Sequence, residues 1–519
     1  MVILTQQYFT RGLIIRFATA ATFIVLSIAS FIFAGYMFLV SNSAYTLAIA
    51  CAFLALTIFA GFFNMYASVA YLRSYYYDRY LANIKRGLGP LHRFPTVAVA
   101  MPVFNEDPEM VKKNLSELFK IDYPRDKMTF YVLDDSTNPG VAKKLELFCR
   151  KNDIIFMHRD NRKGCKAGAL NALIEVAKEE FLAIFDADEF LTNGGFMKDI
   201  LPYFQDSALA YVQTEKRYRE GSLFSGAVDL FDAFFFKFIQ PQRALNNTAL
   251  FAGSCGMIRM SAARKIGGFP EYVIEDTFFS LESDLHDFKG LYVPEVYALG
   301  EPIETFSSLI KQQWRYNYGD TQFIKYYFKR SGKSRKLSLR ANMDYYSHGF
   351  GLNYLSVILI FFTVLSVLIT FSTLPFGHLT VKAIVQGHYM SWWLEILGGV
   401  AFTLSILASV ILTKVYFGSV KKGFMIFALN FALAISRAKA ALAAIFKRDP
   451  TVQWMKVEKG SASNLSYAIA NTKTEIALSA SFLSLGFVAF LESNVFGAIW
   501  LVTYGVLYLF TTILLYRYG

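Results

Sequence analysis

Residues Phe185–Glu189 read F-D-A-D-E. Asp186 and Asp188 stand one residue apart at the end of an apolar stretch. Two carboxylates so placed can share one hard divalent cation, and that cation can in turn hold a diphosphate leaving group. An acidic pair alone is equally what a solvated surface loop shows. Here two more polar clusters precede it, Asn105–Glu106 and Asp134–Thr137 (D-D-S-T), each directly after a short apolar run. A turn that merely caps a strand accounts for either cluster alone. Three in register call for a common cause.

The elements that must position these groups follow from the alternation of short apolar runs with helical spacing. Thr96–Met101, Thr129–Leu133, Ile154–Met157 and Phe181–Phe185 read as strands. Pro108–Lys120, Gly140–Lys151 and Ala167–Lys178 read as helices. This is a βαβ series, so the expectation is an α/β domain with a mostly parallel sheet covered by helices. Ligands of such sheets bind beyond the carboxyl ends of the strands. All three polar clusters fall there.

The rest of the chain excludes a soluble protein. Of 519 residues, 54% are hydrophobic and 17% aromatic, and the mean hydropathy is +0.34. The apolar residues form blocks at Phe17–Val40, Ala44–Leu72, Gly351–Leu374, Trp392–Thr413, Glu475–Leu491 and Val495–Tyr516. A helix needs about 20 apolar residues to cross a bilayer, so six spans are expected, the fifth being marginal. Gly423–Ser436 is also apolar, but it would make only about 21 Å of helix. It lies between Lys421–Lys422 and Arg437–Lys439. A helix along the cytoplasmic face is expected there, with a seventh span as the alternative. The organisation is therefore a transmembrane hairpin over 1–85, a polar domain over 95–335 and a membrane block over 345–519.

The net charge of +12 is concentrated beside the spans, at Arg73, Arg79, Lys85, Arg86 and Arg93 and again at Lys325–Arg340. The positive-inside rule puts the polar domain in the cytoplasm of an integral plasma-membrane protein. The basic residues form no stripe interleaved with exposed aromatics, which excludes nucleic acid as a partner. Cys51, Cys149, Cys165 and Cys255 have neither zinc nor disulfide-framework spacing.

Met101–Glu106 (M-P-V-F-N-E), Asp134–Thr137, Arg159–Asn171, Asp186–Asp188, Ile274–Asp276 (I-E-D) and Gln312–Tyr316 (Q-Q-W-R-Y) occur in one order over residues 95–320. Together they resemble the motifs of family 2 glycosyltransferases, and specifically the processive cellulose, mannan and hyaluronan synthases. The resemblance implies a GT-A-like domain inserted between transmembrane blocks. It implies Mg²⁺ or Mn²⁺ held by Asp188 with Asp186, and Lys166 and Arg315 facing the phosphates. It puts Glu106 and Asp134 along the base and ribose pocket, with Asp135 beside them.

Asp276 is the implied general base, and the neighbouring Glu275 reads as an acid at a helix start. Gly253 and Ser254, in a segment similar to the family's F-x-G-T, belong by resemblance to the acceptor site. So do Gln312, Gln313, Trp314 and Tyr316, with tyrosine where the family has tryptophan. Trp454–Lys459 resembles a gating loop, with Val457 in place of threonine, within a cytoplasmic stretch over 447–473.

The implied activity is inverting hexosyl transfer from a UDP- or GDP-sugar to a growing polysaccharide that leaves through the protein's own helices. Transfer of one sugar to a lipid acceptor, giving a glycolipid, is the alternative. A transporter with a nucleotide-sugar-binding domain and no turnover is a third. Ser222–Gln240 and Glu304–Lys329 are amphipathic and expected against the membrane face, unless the first is domain core.

Overall fold

The structure is a computed structural model that describes residues 2–331, 337–371, 410–446, 465–492 and 494–519. It opens with two long helices, α1 (Val2–Leu39) and α2 (Ala44–Gly87), packed on each other. Ser43 starts α2 with a capping box, its hydroxyl accepting from the Thr46 N–H while Thr46 reaches back. The apolar part of α2 ends near Leu72, but the helix does not. Its 44 residues extend about 66 Å, twice the thickness of a hydrocarbon core. The far end carries Tyr77 and Leu81 into the core beneath the sheet. There the Tyr77 hydroxyl donates to the Tyr292 carbonyl.

The polar domain begins with β1 (Val97–Val103), α3 (Pro108–Leu118), β2 (Met128–Asp134), α4 (Pro139–Lys151), β3 (Ile155–His158), α5 (Cys165–Val176) and β4 (Phe181–Ile184). These match the strands and helices read from the sequence to within a few residues. Then come β5 (Phe190–Leu191), α6 (Phe196–Ile200), β6 (Leu209–Thr214), β7 (Arg217–Tyr218), α7 (Leu223–Phe234) and α8 (Gln240–Leu245). The domain closes with β8 (Gly256–Arg259), α9 (Met260–Ile266), α10 (Glu275–Leu285), β9 (Lys289–Val293), β10 (Ala298–Gly300) and α11 (Phe306–Ser331).

Seven strands form one sheet in the order β3-β2-β1-β4-β8-β6-β9, and β5, β10 and β7 form a small second one. The main sheet is mixed. β8 runs antiparallel to both β4 and β6, and the other pairings are parallel. Strand alternation divides β1 between two cores. Val97, Val99, Met101 and Val103 face α3, α6 and the end of α2, whereas Ala98 and Ala100 face α5 and α9. Small residues on the second face let those helices sit close.

The membrane block contains α12 (Leu339–Thr370), α13 (Val420–Phe446), α14 (Leu465–Asn471), α15 (Lys473–Leu491) and α16 (Val495–Tyr518). Among the described residues, five helices are long and apolar enough to cross a membrane: α1, α2, α13, α15 and α16. The marginal fifth span is a helix of 19 residues packed on α16. The length estimate for Gly423–Ser436 needs correction. That stretch is the middle of a helix of 27 residues, about 40 Å long. The basic residues expected to end it are inside it, and Arg437 is fully buried. Residues 392–409 of the fourth expected span, and all of 454–459, lie outside the described residues.

The aromatic stretch Ser222–Gln240 divides between two partners: Phe236 joins the core beneath the sheet, and the helix before it packs on a membrane-block helix. Along α7, Phe224, Ala227, Val228, Leu230 and Ala233 pack with Ile426, Leu429 and Leu433 of α13. A π-helical turn at Phe235–Ile239 then passes into α8. Pro241 lacks the N–H that would bond the Lys237 carbonyl, and the wider turn absorbs that loss.

One buried node fastens this region to the membrane helices. The Asp344 carboxylate accepts from Tyr66 Oη at 2.9 Å, Gln242 Nε2 at 3.3 Å, Asn246 Nδ2 at 2.7 Å and Thr248 Oγ1 at 2.6 Å. Arg243 donates to the Asp344 carbonyl at 2.5 Å. Three segments, α2, α8 and α12, meet at one anion. Asp344→Ala leaves four donors without their acceptor and the buried Arg243 guanidinium without its nearby negative charge. It should lower stability by about 3–5 kcal/mol, read as a fall in unfolding temperature of the purified protein in detergent.

Candidate active site

The carboxyl edge of the sheet collects the acidic groups because of strand direction. Val103, Asp134 and His158 pair across β1, β2 and β3, so three parallel strands end side by side. β8 runs the other way, which puts its beginning at the end of β4, with Gly256 opposite Ile184. The residues just before β8, Gly253 and Ser254, therefore meet Asp186–Glu189. β6 ends opposite the same Gly256, which delivers Lys216 to the same place.

At the β1 end, Asn105 adopts a left-handed conformation (φ 57°), which asparagine tolerates better than most residues. Its N–H donates to Ser136 Oγ at 2.8 Å and its side-chain amide to Thr137 Oγ1 at 2.8 Å. Glu106 turns back to accept from the Phe104 N–H. Asp134 is fully buried, with His158 Nδ1 2.7 Å away. Asp135 receives a two-pronged bond from Arg159, Nε at 2.7 Å and Nη2 at 2.6 Å. Arg159 also donates to the Cys165 carbonyl at 2.9 Å. This pins the start of α5 to the D-D-S-T turn. Arg162 lies over the Phe104 ring, 3.3 Å from its centroid.

At the β4 end, the Asp186 carbonyl accepts from the Glu189 N–H at 3.0 Å, closing a tight turn. The Asp186 N–H in turn donates to Glu189 Oε2 at 2.8 Å. Lys166 lies 2.5 Å from Asp186 Oδ1, and Lys216 lies 3.6 Å from Oδ2. Burial would raise the Asp186 pKa, but the two ammonium groups outweigh it and hold the carboxyl well below its ordinary range. The same pairing holds Lys166 above its ordinary value against its burial.

Asp188 is the contrasting member. Desolvation by the cleft around it, and then the charges of Asp186 and Glu189, raise its pKa to about 7. Among the described residues it has no ion pair, and its side chain is open to solvent. Hard oxygen donors beside uncompensated negative charge suit Mg²⁺ or Mn²⁺. No group of three or more His, Cys, Asp or Glu placed to hold a metal occurs among the described residues.

Asp276 comes from the first turn of α10, where its Oδ1 accepts from the Thr277 N–H at 2.8 Å. Gly253 lets it approach. A Cβ at 253 would sit 3.1 Å from Asp276 Oδ2 and 3.6 Å from Lys166 Nζ, and the backbone there has φ +83°. Only glycine meets both conditions without strain. Burial raises the Asp276 pKa, with the Thr277 N–H and Lys166 opposing. Burial and the Asp276 charge push Glu275 up to about 7.

Arg315 acts electrostatically on both acids. Tyr316 beside it is half-buried, 5.4 Å below the guanidinium. Gln312 is half-buried on the same helix, α11.

Two residues assigned to the acceptor point elsewhere and are corrected. Gln313 is buried, its Oε1 accepting from Arg437 Nη2 at 2.7 Å and Nε at 3.2 Å. Trp314 stacks on Tyr318, 5.1 Å between centroids, against Ala440 and Ala444. Both face α13, because neighbouring positions on a helix are about 100° apart and cannot all face one cleft. Trp454 and Lys459 lie outside the described residues.

Sequence reading missed Lys216 and Glu189. Glu189 is only 3% exposed and accepts from Ser254 Oγ at 2.6 Å, with Lys216 at 3.3 Å. Lys216 Nζ lies 2.5 Å from Ser254 Oγ. The available signal was the buried run Leu209–Thr214 ending in Glu215–Lys216, one more strand end with charge.

Glu275 offers a test of this electrostatic picture. Its folded pKa of about 7 exceeds the unfolded value of about 4.3, so the folded state binds its proton more tightly. The associated destabilisation is small below the unfolded pKa and grows as pH rises through 7. Glu275→Gln should therefore stabilise the protein by about 1–3 kcal/mol at pH 8 and by under about 1 kcal/mol at pH 5. Thermal unfolding at the two pH values would measure this.

Comparison with known proteins agrees with the geometry. Residues 98–267 match the family described as Glycosyl transferase family 2. The chain is 31% identical over 239 residues to the cellulose synthase catalytic subunit (UDP-forming) of Pseudomonas fluorescens, covering 45% of this chain and 32% of that protein. It is 25% identical over 405 residues to glucomannan 4-beta-mannosyltransferase 1 of Cyamopsis tetragonoloba, covering 75% of this chain and 74% of that protein. Among solved structures, a mannosyltransferase of Pyrobaculum calidifontis in complex with GDP-Man and Mn²⁺ aligns at 16% identity with a TM-score of 0.48, over 74% of this chain and 99% of that one. The chain thus spans less than a third of the bacterial synthase subunit's length and about three quarters of the plant enzyme's. Residues 98–267 match family 2 glycosyltransferases, the chain is similar to cellulose synthase and glucomannan mannosyltransferase sequences, and helices long and apolar enough to cross a membrane flank the matched residues.

Proposed function

We propose that the chain is an inverting, metal-dependent hexosyltransferase that extends a polysaccharide from a UDP- or GDP-sugar. On this reading the domain works on the cytoplasmic side of the plasma membrane, and the product leaves between the protein's own helices. The observation that supports it most is the approach at Gly253. There Asp276 and Lys166 come within van der Waals reach of one backbone position, while Lys166 is paired to Asp186. A base, a phosphate-facing cation and the D-x-D turn thus share one cleft.

In the proposed reaction, Glu106, Asp134 and Asp135 border the base and ribose, and Lys166 and Arg315 face the diphosphate. A divalent cation at Asp188, with Asp186 nearby, would offset the charge that develops on the leaving diphosphate. The acceptor sugar lies over Tyr316, against the bare backbone of Gly253 and near Ser254 and Gln312. Asp276 takes the proton from the acceptor hydroxyl as its oxygen attacks the anomeric carbon from the face opposite the diphosphate. The new glycosidic bond forms as the bond to the phosphate oxygen breaks. One displacement inverts the configuration, and no sugar–enzyme bond is needed.

Asp276→Asn should lower kcat by about a thousandfold while nucleotide-sugar binding changes little. Because Asp276 must be ionised and its pKa is raised, the wild-type rate should fall as pH drops. The fall should begin nearer neutrality than for an ordinary aspartate at about 3.9. Wild-type turnover by Asp276→Asn would remove the base. Mass analysis of products made from UDP- and GDP-sugars checks processivity, since single-sugar lipid products alone would contradict chain extension.

A further inference from the structure

We propose that Lys216 is a positioning residue whose ammonium ties the D-x-D turn to the acceptor segment and occupies Asp186 and Glu189, leaving Asp188 as the carboxylate open to a divalent cation. Three acceptors on two chain segments, the D-x-D turn and the stretch before β8, surround its Nζ: Ser254 Oγ at 2.5 Å, Glu189 Oε1 at 3.3 Å and Asp186 Oδ2 at 3.6 Å. An ammonium has three N–H donors on a flexible stem, which matches this number of acceptors. Ser254 passes the contact on, since its hydroxyl donates to Glu189 Oε1 at 2.6 Å. Glu189 in turn accepts the Asp186 N–H at 2.8 Å. The path Lys216–Ser254–Glu189–Asp186 closes on itself through Lys216.

The charges at the turn explain what this arrangement achieves. Asp186, Asp188 and Glu189 bring three negative charges to four residues. Lys166 and Lys216 offset two of them, and both act on Asp186 or Glu189, not within ion-pair distance of Asp188. One uncompensated carboxylate remains, and it is the one open to solvent. Without Lys216, one side of Asp186 would be open to a cation and the buried Glu189 would keep an uncompensated charge, and the turn could hold the cation two residues from Asp188. Given the sugar transfer proposed above, on which the positioning role rests, that shift would misplace the diphosphate relative to Asp276. Loss of Lys216 would also leave Ser254 held to the turn by its bond to Glu189 alone, so the anchor shared by the donor and acceptor sides would weaken. A surface salt bridge would do neither.

The test is Mn²⁺ binding to the purified full chain in lipid nanodiscs without nucleotide, followed by electron paramagnetic resonance, together with transfer kinetics. Lys216→Met should bind Mn²⁺ at least about tenfold more tightly than wild type, because one positive charge a few ångströms away is lost. Its kcat should fall at least about tenfold, the scale on which small misplacement of reacting groups costs rate. Lys216→Arg should keep Mn²⁺ affinity near wild type. The charge-balanced double variant Lys216→Met/Glu189→Gln should return Mn²⁺ affinity toward wild type without recovering kcat.

Unchanged or weaker Mn²⁺ binding by folded Lys216→Met, or no Mn²⁺ binding by either protein, overturns the proposal. If Lys216→Met does not fold, the double variant decides: wild-type kcat overturns it, and a lowered kcat with wild-type Mn²⁺ affinity supports it. A wild-type chain that turns over no nucleotide-sugar refutes the transfer reaction instead, and the Mn²⁺ comparison still decides which carboxylates Lys216 occupies.

Discussion

The ion pair between Lys166 and Asp186, 2.5 Å long, is the contact on which the arrangement of the cleft depends. Asp186 ends a buried strand, and an uncompensated carboxylate there would be costly. The compensating cation comes from the first turn of α5, which Arg159 holds by bonding both Asp135 and the Cys165 carbonyl. One neutralised charge thereby sets the distance between the ends of β2 and β4 and places Lys166 next to Gly253 and Asp276.

The reversed strand β8 makes this placement possible. In an all-parallel sheet, the residues before a strand lie at the amino edge, away from the ligand. β8 runs against both its neighbours, so Gly253 and Ser254 arrive at the carboxyl edge from the opposite direction. A glycine is required where Asp276 passes, since any side chain would fill the gap of 3.1 Å. The cleft is thus built from strand ends on one side and a strand beginning on the other.

The same cleft is joined to the membrane helices by buried polar contacts. α2 runs from the bilayer into the core beneath the sheet, Asp344 gathers donors from α2 and α8 and the segment just after it, and Arg437 of α13 holds Gln313 two positions before Arg315. Partners at such contacts are expensive to separate once buried. Catalytic domain and membrane block are therefore fastened to each other at these points. That suits a reaction whose polymeric product would pass from one to the other.

Much of this was legible in the residues taken alone. Short apolar runs ending in Asn105–Glu106, Asp134–Asp135 and Asp186–Asp188 marked the carboxyl edge, because strand alternation and turn chemistry are local properties. Long uncharged blocks marked spans, because bilayer thickness imposes a length. What neighbours in space decide was not legible. The helix through Arg437 looked too short because its charge was taken as exposed, whereas a buried partner, Gln313, lets it continue. Gln313 and Trp314 looked like acceptor residues because motif spacing does not say which face of α11 meets α13. Lys216 and Glu189 went unnoticed because their importance lies in Ser254, 38 and 65 positions away. The sequence by itself determined the elements, the membrane character and the set of acids. Only the tertiary structure decided which acids are neutralised and which stays open, because that depends on cations brought in by strand order and direction, not by proximity along the chain.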